Sequence, residues 1–222
     1  ENGYYCPILE DNDKSFVIAK DIRHPIVEKI NEDTEYITND ISLGKDKDGI
    51  LLFGTNACGK STLMKAIGLN IIMAQAGLYV ASKEFRYKPY QQIFTRILNN
   101  DNIFKAQSSF AVEIQELNGI LQKADKNSLV LGDELCSGTE TISAISIVAT
   151  GIEYLCNINS SFIFTSHLHQ LTKLEIINKL KNLYICHLKI DMKDNKLIYD
   201  RKLIDGSGPS IYGLIVCDAI GL

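Results

Sequence analysis

The sequence predicts an α/β fold in which a mostly parallel sheet is flanked by helices and preceded by a strand-rich lobe. Three observations carry this reading. From residue 50 to 165, short apolar runs alternate with stretches of helical periodicity, as parallel strands joined by crossover helices require. A glycine-rich segment, GTNACGKST at 54 to 62, lies between one such run and the helical stretch that follows it. Residues 1 to 49 instead mix β-prone runs with acidic turns. A single domain over 1–222 is expected, with 1–49 as a lobe leading into a core at 50–222.

The elements follow in order. YYCPIL and SFVIAKDI are strand-like, separated by the turn EDNDK, and GKDKDG closes the lobe. ILLF predicts a strand, 61 to 78 a helix, IFTRI a strand, 110 to 123 a helix, and SLVLG a strand. A helix near 139 to 155 carries Ile142, Ile145, Val148, Ile152 and Leu155 at i, i+3, i+7 spacing, the signature of a core-facing stripe. SFIFTS then predicts a strand and LHQLTKLEIINKLKNL a helix. LYICHLKI and KLIYDRKLI form a hairpin across DMKDN, and SIYGLIVCDAIGL is expected to be helical.

The 222 residues are 45% hydrophobic and 23% charged, the balance of a globular chain able to bury a sizeable core. A net charge of -4 gives no bulk attraction to nucleic acid. No apolar run is long enough to span a bilayer, and ENGYYCPILEDND has no signal-peptide pattern. The chain lacks an initiator Met and is expected to be an excised piece. Its six cysteines form no C-x-x-C pair, which argues against a disulfide or zinc framework and for an intracellular, reducing compartment.

The spacing G-x-x-x-x-G-K-S between a strand and a helix is that of a phosphate-binding P-loop. Gly54, Thr55, Asn56, Ala57, Cys58 and Gly59 would wrap backbone amides around phosphates. Lys60 would reach the β and γ phosphates, Ser61 would ligate Mg2+, and Thr62 opens the helix. A buried strand ending in Asp133-Glu134 places one carboxylate for the metal and one to polarise an attacking water. Asp133 is therefore read as the metal-side group and Glu134 as the general base. A glutamate there, with no N-K-x-D element, points to an ATPase rather than a small GTPase. His167, just past another apolar strand, is placed to sense the γ phosphate or the attacking water. His167-x-His169 as half a metal site lacks a third ligand, and His169 and His187 read better as satisfied structural histidines.

Several segments resemble the MutS family of mismatch-repair ATPases: GTNACGKSTLMKAIGLNIIMAQAG, FTRILNNDNIFKAQSSFAVEIQELNGIL, SLVLGDELCSGT and FTSHLHQL, in the family's order and spacing. RHPIVE and YITNDISL upstream extend the likeness over roughly residues 20 to 220. The resemblance implies an ABC-type P-loop ATPase that dimerises around ATP and Mg2+, with itself or a MutS-like partner. Lys60, Ser61, Asp133, Glu134 and His167 would then act on their own subunit's nucleotide, and Ser108 on the partner's γ phosphate. Tyr36 and Ile37 match residues that flank the adenine, a slot of suitable chemistry, against the alternative of ordinary core packing.

The chain departs from the family pattern where Thr55 replaces a proline and Cys136-Ser137-Gly138 replaces Gly-Arg-Gly. An arginine at the subunit interface is thereby lost at 137. Cys58 and Cys136 read as size-matched replacements, with redox control the alternative. The family's mismatch-reading, connector, lever and clamp domains do not fit in this length, so DNA would be met through missing domains. Two other readings stand beside this one. An ABC or SMC-like ATPase of another function is opposed by the absence of an LSGGQ-type signature before Asp133. A nucleotide-dependent DNA-binding scaffold with little turnover is opposed by Lys60, Asp133 and Glu134 all being present.

Overall fold

The computed structural model describes residues 3–30, 35–55, 58–97, 109–137, 139–193 and 196–209. The expected central sheet is present. Its six strands are β4 (Gly49–Phe53), β6 (Gln92–Arg96), β7 (Ser128–Asp133), β8 (Ser161–Ser166), β9 (Leu183–Lys193) and β10 (Lys196–Asp205). They run in the order β10-β9-β4-β8-β7-β6, parallel throughout except for the antiparallel edge pair β9–β10. Every residue of β4, β7 and β8 is buried, which explains why their sequences are continuous apolar runs without alternation.

Alternate residues of these strands serve two separate cores. Ile50, Leu52 and Ile163 face helix α2 (Lys60–Gln75) and the N-terminal lobe. Leu51, Phe53, Phe162 and Phe164 face the other way, into the cluster that holds buried residues of α3 (Ser109–Lys123) and α4 (Thr141–Asn157). A sheet covered on both sides in this way has its strand ends as the free outlets for function.

The lobe is a second sheet, ordered β1-β5-β2-β3, from β1 (Ile8–Leu9), β2 (Phe16–Ile22), β3 (Asn39–Leu43) and β5 (Glu84–Lys88). The fourth of these, which the sequence pattern does not single out, comes from beyond α2 and pairs antiparallel with β2 over Phe16↔Lys88 to Lys20↔Glu84. Between β2 and β3 the chain turns through the short α1 (Val27–Ile30), where His24 Nδ1 accepts hydrogen bonds from the amides of Ile26 and Val27.

Three expectations are corrected. Helix α2 ends at Gln75 rather than 78 because Gly77 (φ 75) takes the left-handed conformation: its amide reaches Ala74 O and that of Leu78 reaches Met73 O, a Schellman close. The segment after Leu168 forms a 3-10 turn at His169–Lys173 and a separate α5 (Glu175–Asn178), divided by extended Leu174. Its buried or part-buried residues Leu168, Leu171, Leu174, Ile177 and Leu180 recur every third position, a repeat that stays on one side of a 3-10 helix but drifts about 60° per step around an α-helix. In α4, Val148, Ile152 and Leu155 are core residues and Ile145 packs against them, whereas Ile142 is 76% exposed. The expected terminal helix at 210–222 lies outside the described residues.

Asn70 joins the two parts. Fully buried on α2, it donates from Nδ2 to Arg23 O (2.9 Å) and Ala66 O (2.8 Å) and accepts at Oδ1 from the Ala81 amide (2.6 Å). Asn70→Ala withdraws these partners from the backbone at 23 and 81, at about 1–3 kcal/mol for each buried group left unmet. A loss of about 2–4 kcal/mol in urea unfolding is expected; a change under about 0.5 kcal/mol would show that the bridge contributes nothing.

Candidate active site

Strand β4 ends at Phe53 and α2 begins at Lys60, so the glycine-rich segment is held between a wholly buried strand and a helix whose buried face starts at Lys60. Gly59, with φ 108 and ψ 12, turns the chain into α2 in a conformation that a side chain would strain. Among the described residues no side chain caps α2, which leaves its first amides and the positive end of its dipole for an anion. A Cβ at Gly54 would lie 2.6 Å from Cys58 Sγ, so the turn is closed too tightly for any larger residue. Asn56 and Ala57 lie outside the described residues.

Lys60 is buried, and its ammonium donates to Gly54 O (2.8 Å) and Thr55 O (3.0 Å) while lying 3.3 Å from Glu134 Oε1. All three of its protons are thus directed at oxygens at the mouth of the loop. These are interactions an incoming phosphate can replace, since it offers the same ammonium a stronger acceptor.

Asp133 closes β7 and is paired in register with Thr165 of β8. Its Oδ1 accepts from Ser61 Oγ (2.8 Å) and Thr165 Oγ1 (2.6 Å). The Thr165 hydroxyl in turn accepts from the Glu134 amide (3.0 Å), which also lies 3.2 Å from Thr165 O. One threonine therefore places both carboxylates, a role the sequence does not reveal because it depends on which residues two strands bring side by side. The Ser61–Asp133 oxygen pair also fits Mg2+. Both donors are hard oxygens, the ligand type that Mg2+ takes.

Tyr36 and Ile37 meet Cys58, Gly59 and Thr62 in a cleft of about 190 Å³ that Leu188 and Arg201 wall on the other side. Burial raises the Tyr36 phenol above its usual range. Arg201 lies at a bulge between β9 and β10, with φ 58, and its Cδ would be 3.9 Å from a Cβ on Gly59. Asn39 fixes that bulge: its Nδ2 donates to Arg201 O (3.0 Å) and its Oδ1 accepts from the Leu203 amide (2.8 Å). Sequence reasoning passes over Asn39 and Arg201 alike, and the one signal for Arg201 is a positive φ that appears only in the fold.

His167 is exposed just past the end of β8, and Ser108 lies outside the described residues. His187 is satisfied, with Nδ1 2.9 Å from Gly206 O. His169 corrects the expectation: it stacks on Phe53 at 5.0 Å, but its Nδ1 is buried with no hydrogen-bond partner among the described residues. Burial, then the charges of His167 and His187, lower its basicity. Burial likewise raises the thiol of Cys58, and it takes that of Cys136 to about 11 with Glu113 adding to the rise. Protonated, buried thiols suit the size-matched reading of both positions. Among the described residues, no three His, Cys, Asp or Glu side chains gather as a metal site, and no helix is long and apolar enough to cross a membrane.

The glycine-rich loop thus faces two carboxylates, Asp133 and Glu134. The family model for MutS domain V matches residues 50–222. A DNA mismatch repair protein mutS homolog of Acanthamoeba polyphaga mimivirus is 43% identical over 96% of the chain and 22% of its own length. The mitochondrial DNA mismatch repair protein mutS homolog of Sarcophyton glaucum is 48% identical over 91% and 20%. DNA mismatch repair protein MutS of Clostridium tetani is 38% identical over 100% and 25%. The chain spans between a fifth and a quarter of the length of these relatives. It belongs to the MutS family, and residues 50–222 correspond to that family's domain V.

Proposed function

We propose that this chain is the ATPase domain of a MutS-like DNA mismatch repair protein, hydrolysing ATP in sites shared across a dimer so that DNA-bound states are switched. The observation that carries this reading is the pairing of the first two residues of α2 with the two carboxylates at the end of β7, Ser61 with Asp133 and Lys60 with Glu134. Tyr36 and Ile37 receive the adenine, with Arg201 lining the same cleft. The amides of the loop and of α2 hold the phosphates, and Lys60 exchanges its carbonyl partners for phosphate oxygens.

Ser61 and Asp133 would hold Mg2+, which when bound would neutralise charge at the phosphates. Glu134, freed from Lys60, takes a proton from the attacking water as oxygen bonds to the γ phosphorus and the bond to ADP breaks. His167 lies at the edge of the site as a sensor, and Ser108 serves the partner subunit's nucleotide. DNA is met through other parts of a longer protein, in keeping with the names and lengths of the relatives.

Glu134→Gln should lower kcat by about 10^2 to 10^4-fold. ATP affinity should be unchanged or tighter, because the carboxamide keeps the shape and no longer competes for Lys60. Lys60→Ala should weaken ATP binding itself. Equal ATP affinity of parent and Lys60→Ala by calorimetry would refute the P-loop assignment.

The shared site is tested by mixing Ser108→Ala with Lys60→Ala under conditions where dimers exchange. If Ser108 acts in trans, half the dimers are mixed and each holds one intact site, restoring about a quarter of parental sites. No recovery above the two variants' residual rates would place Ser108 in its own subunit's site.

A further inference from the structure

We propose that Glu113 is a positioning residue for hydrolysis, holding from helix α3 the turn that presents Glu134. The proposal rests on the reading of Glu134 as the general base. Glu113 is 4% exposed, and its Oε1 accepts a hydrogen bond of 2.8 Å from the Cys136 amide. A carboxylate is costly to bury, so one buried against a main-chain amide fixes that amide in place. Arg96 supplies positive charge nearby: it offsets the effect of Glu113 on the Cys136 thiol, and its Nε lies 3.1 Å from Glu116, three residues along α3.

The turn needs such a hold. Glu134 has φ 47 and Cys136 φ 60, two non-glycine residues in the left-handed region on either side of buried Leu135. Strain of that kind persists only where the surroundings over-determine the backbone. Thr165 grips the start of the turn through the Glu134 amide, and Glu113 grips it two residues later. Released at Cys136, the backbone relaxes toward negative φ, and the Glu134 carboxylate is displaced from the water it must deprotonate. Nucleotide binding, which depends on the P-loop and the cleft, is left alone.

Steady-state ATPase rates and ATP affinity of the full 222-residue chain test this. Glu113→Ala should lower kcat by about 10 to 100-fold, the scale of a small misplacement of a reacting group, with ATP affinity within about twofold. Glu113→Gln keeps an acceptor oxygen and should recover most of that loss. Adding Cys136→Gly to Glu113→Ala should restore at least about threefold, since glycine adopts the left-handed conformation without steric cost. In a Glu134→Gln background, Glu113→Ala should cost less than about twofold more, because the group it positions is already gone.

An additive loss in that background overturns the proposal, as does a fall in ATP affinity that matches the fall in kcat. So does a double variant with Cys136→Gly that regains nothing. Should Glu113→Ala not fold, Glu113→Asp, one methylene shorter, carries the same test of kcat against affinity. A parental kcat in Glu134→Gln alone would instead overturn the assignment of the base and leave the cause elsewhere.

Discussion

The site depends on one carboxylate. Asp133 Oδ1 receives the hydroxyls of Ser61 and Thr165, so a single oxygen joins the start of α2, the end of β7 and the end of β8. Both strands are buried along their length, and none of the three elements can shift without stretching a bond to a largely buried acid. The same threonine accepts from the Glu134 amide, so the position of Glu134 is tied to that of Asp133. The start of α2 and the two neighbouring carboxylates are therefore set by one polar knot.

Rigidity around that knot comes from the two-sided sheet. Because Ile50 and Leu52 face one core while Leu51 and Phe53 face the other, β4 is clamped along its length before it releases the chain into the loop. Interior packing of this kind leaves little room for adjustment within the sheet.

Much of this was legible in the sequence where spacing along the chain decides the outcome. Lys60 and Ser61 follow the loop by covalent necessity, and Asp133 and Glu134 end an apolar run that could only be a buried strand. Thr165, Asn39 and Arg201 were not legible, because each acts through a register between segments far apart in the chain. The glutamate at 113 sat in plain view within SSFAVEI, yet its partner is a main-chain amide in a turn that departs from the family pattern at Cys136. The threefold apolar repeat from Leu168 to Leu180 was present in the sequence too, but a period of three resembles a helical stripe over so short a span. Ile142 misled in the opposite way: it continues the period of α4 beyond the stretch of helix that has a core to face.

The insertion of β5 into the lobe bears on how the chain is made. Lys20 of β2 pairs with Glu84 of β5 across 64 positions, and α2 lies between the two strands along the chain. A ribosome that has delivered β2 and β3 has produced a sheet whose second edge still lacks its neighbour. That edge stays open until the whole P-loop helix and the turn after it have emerged, so the lobe and the nucleotide loop mature together during synthesis rather than one after the other.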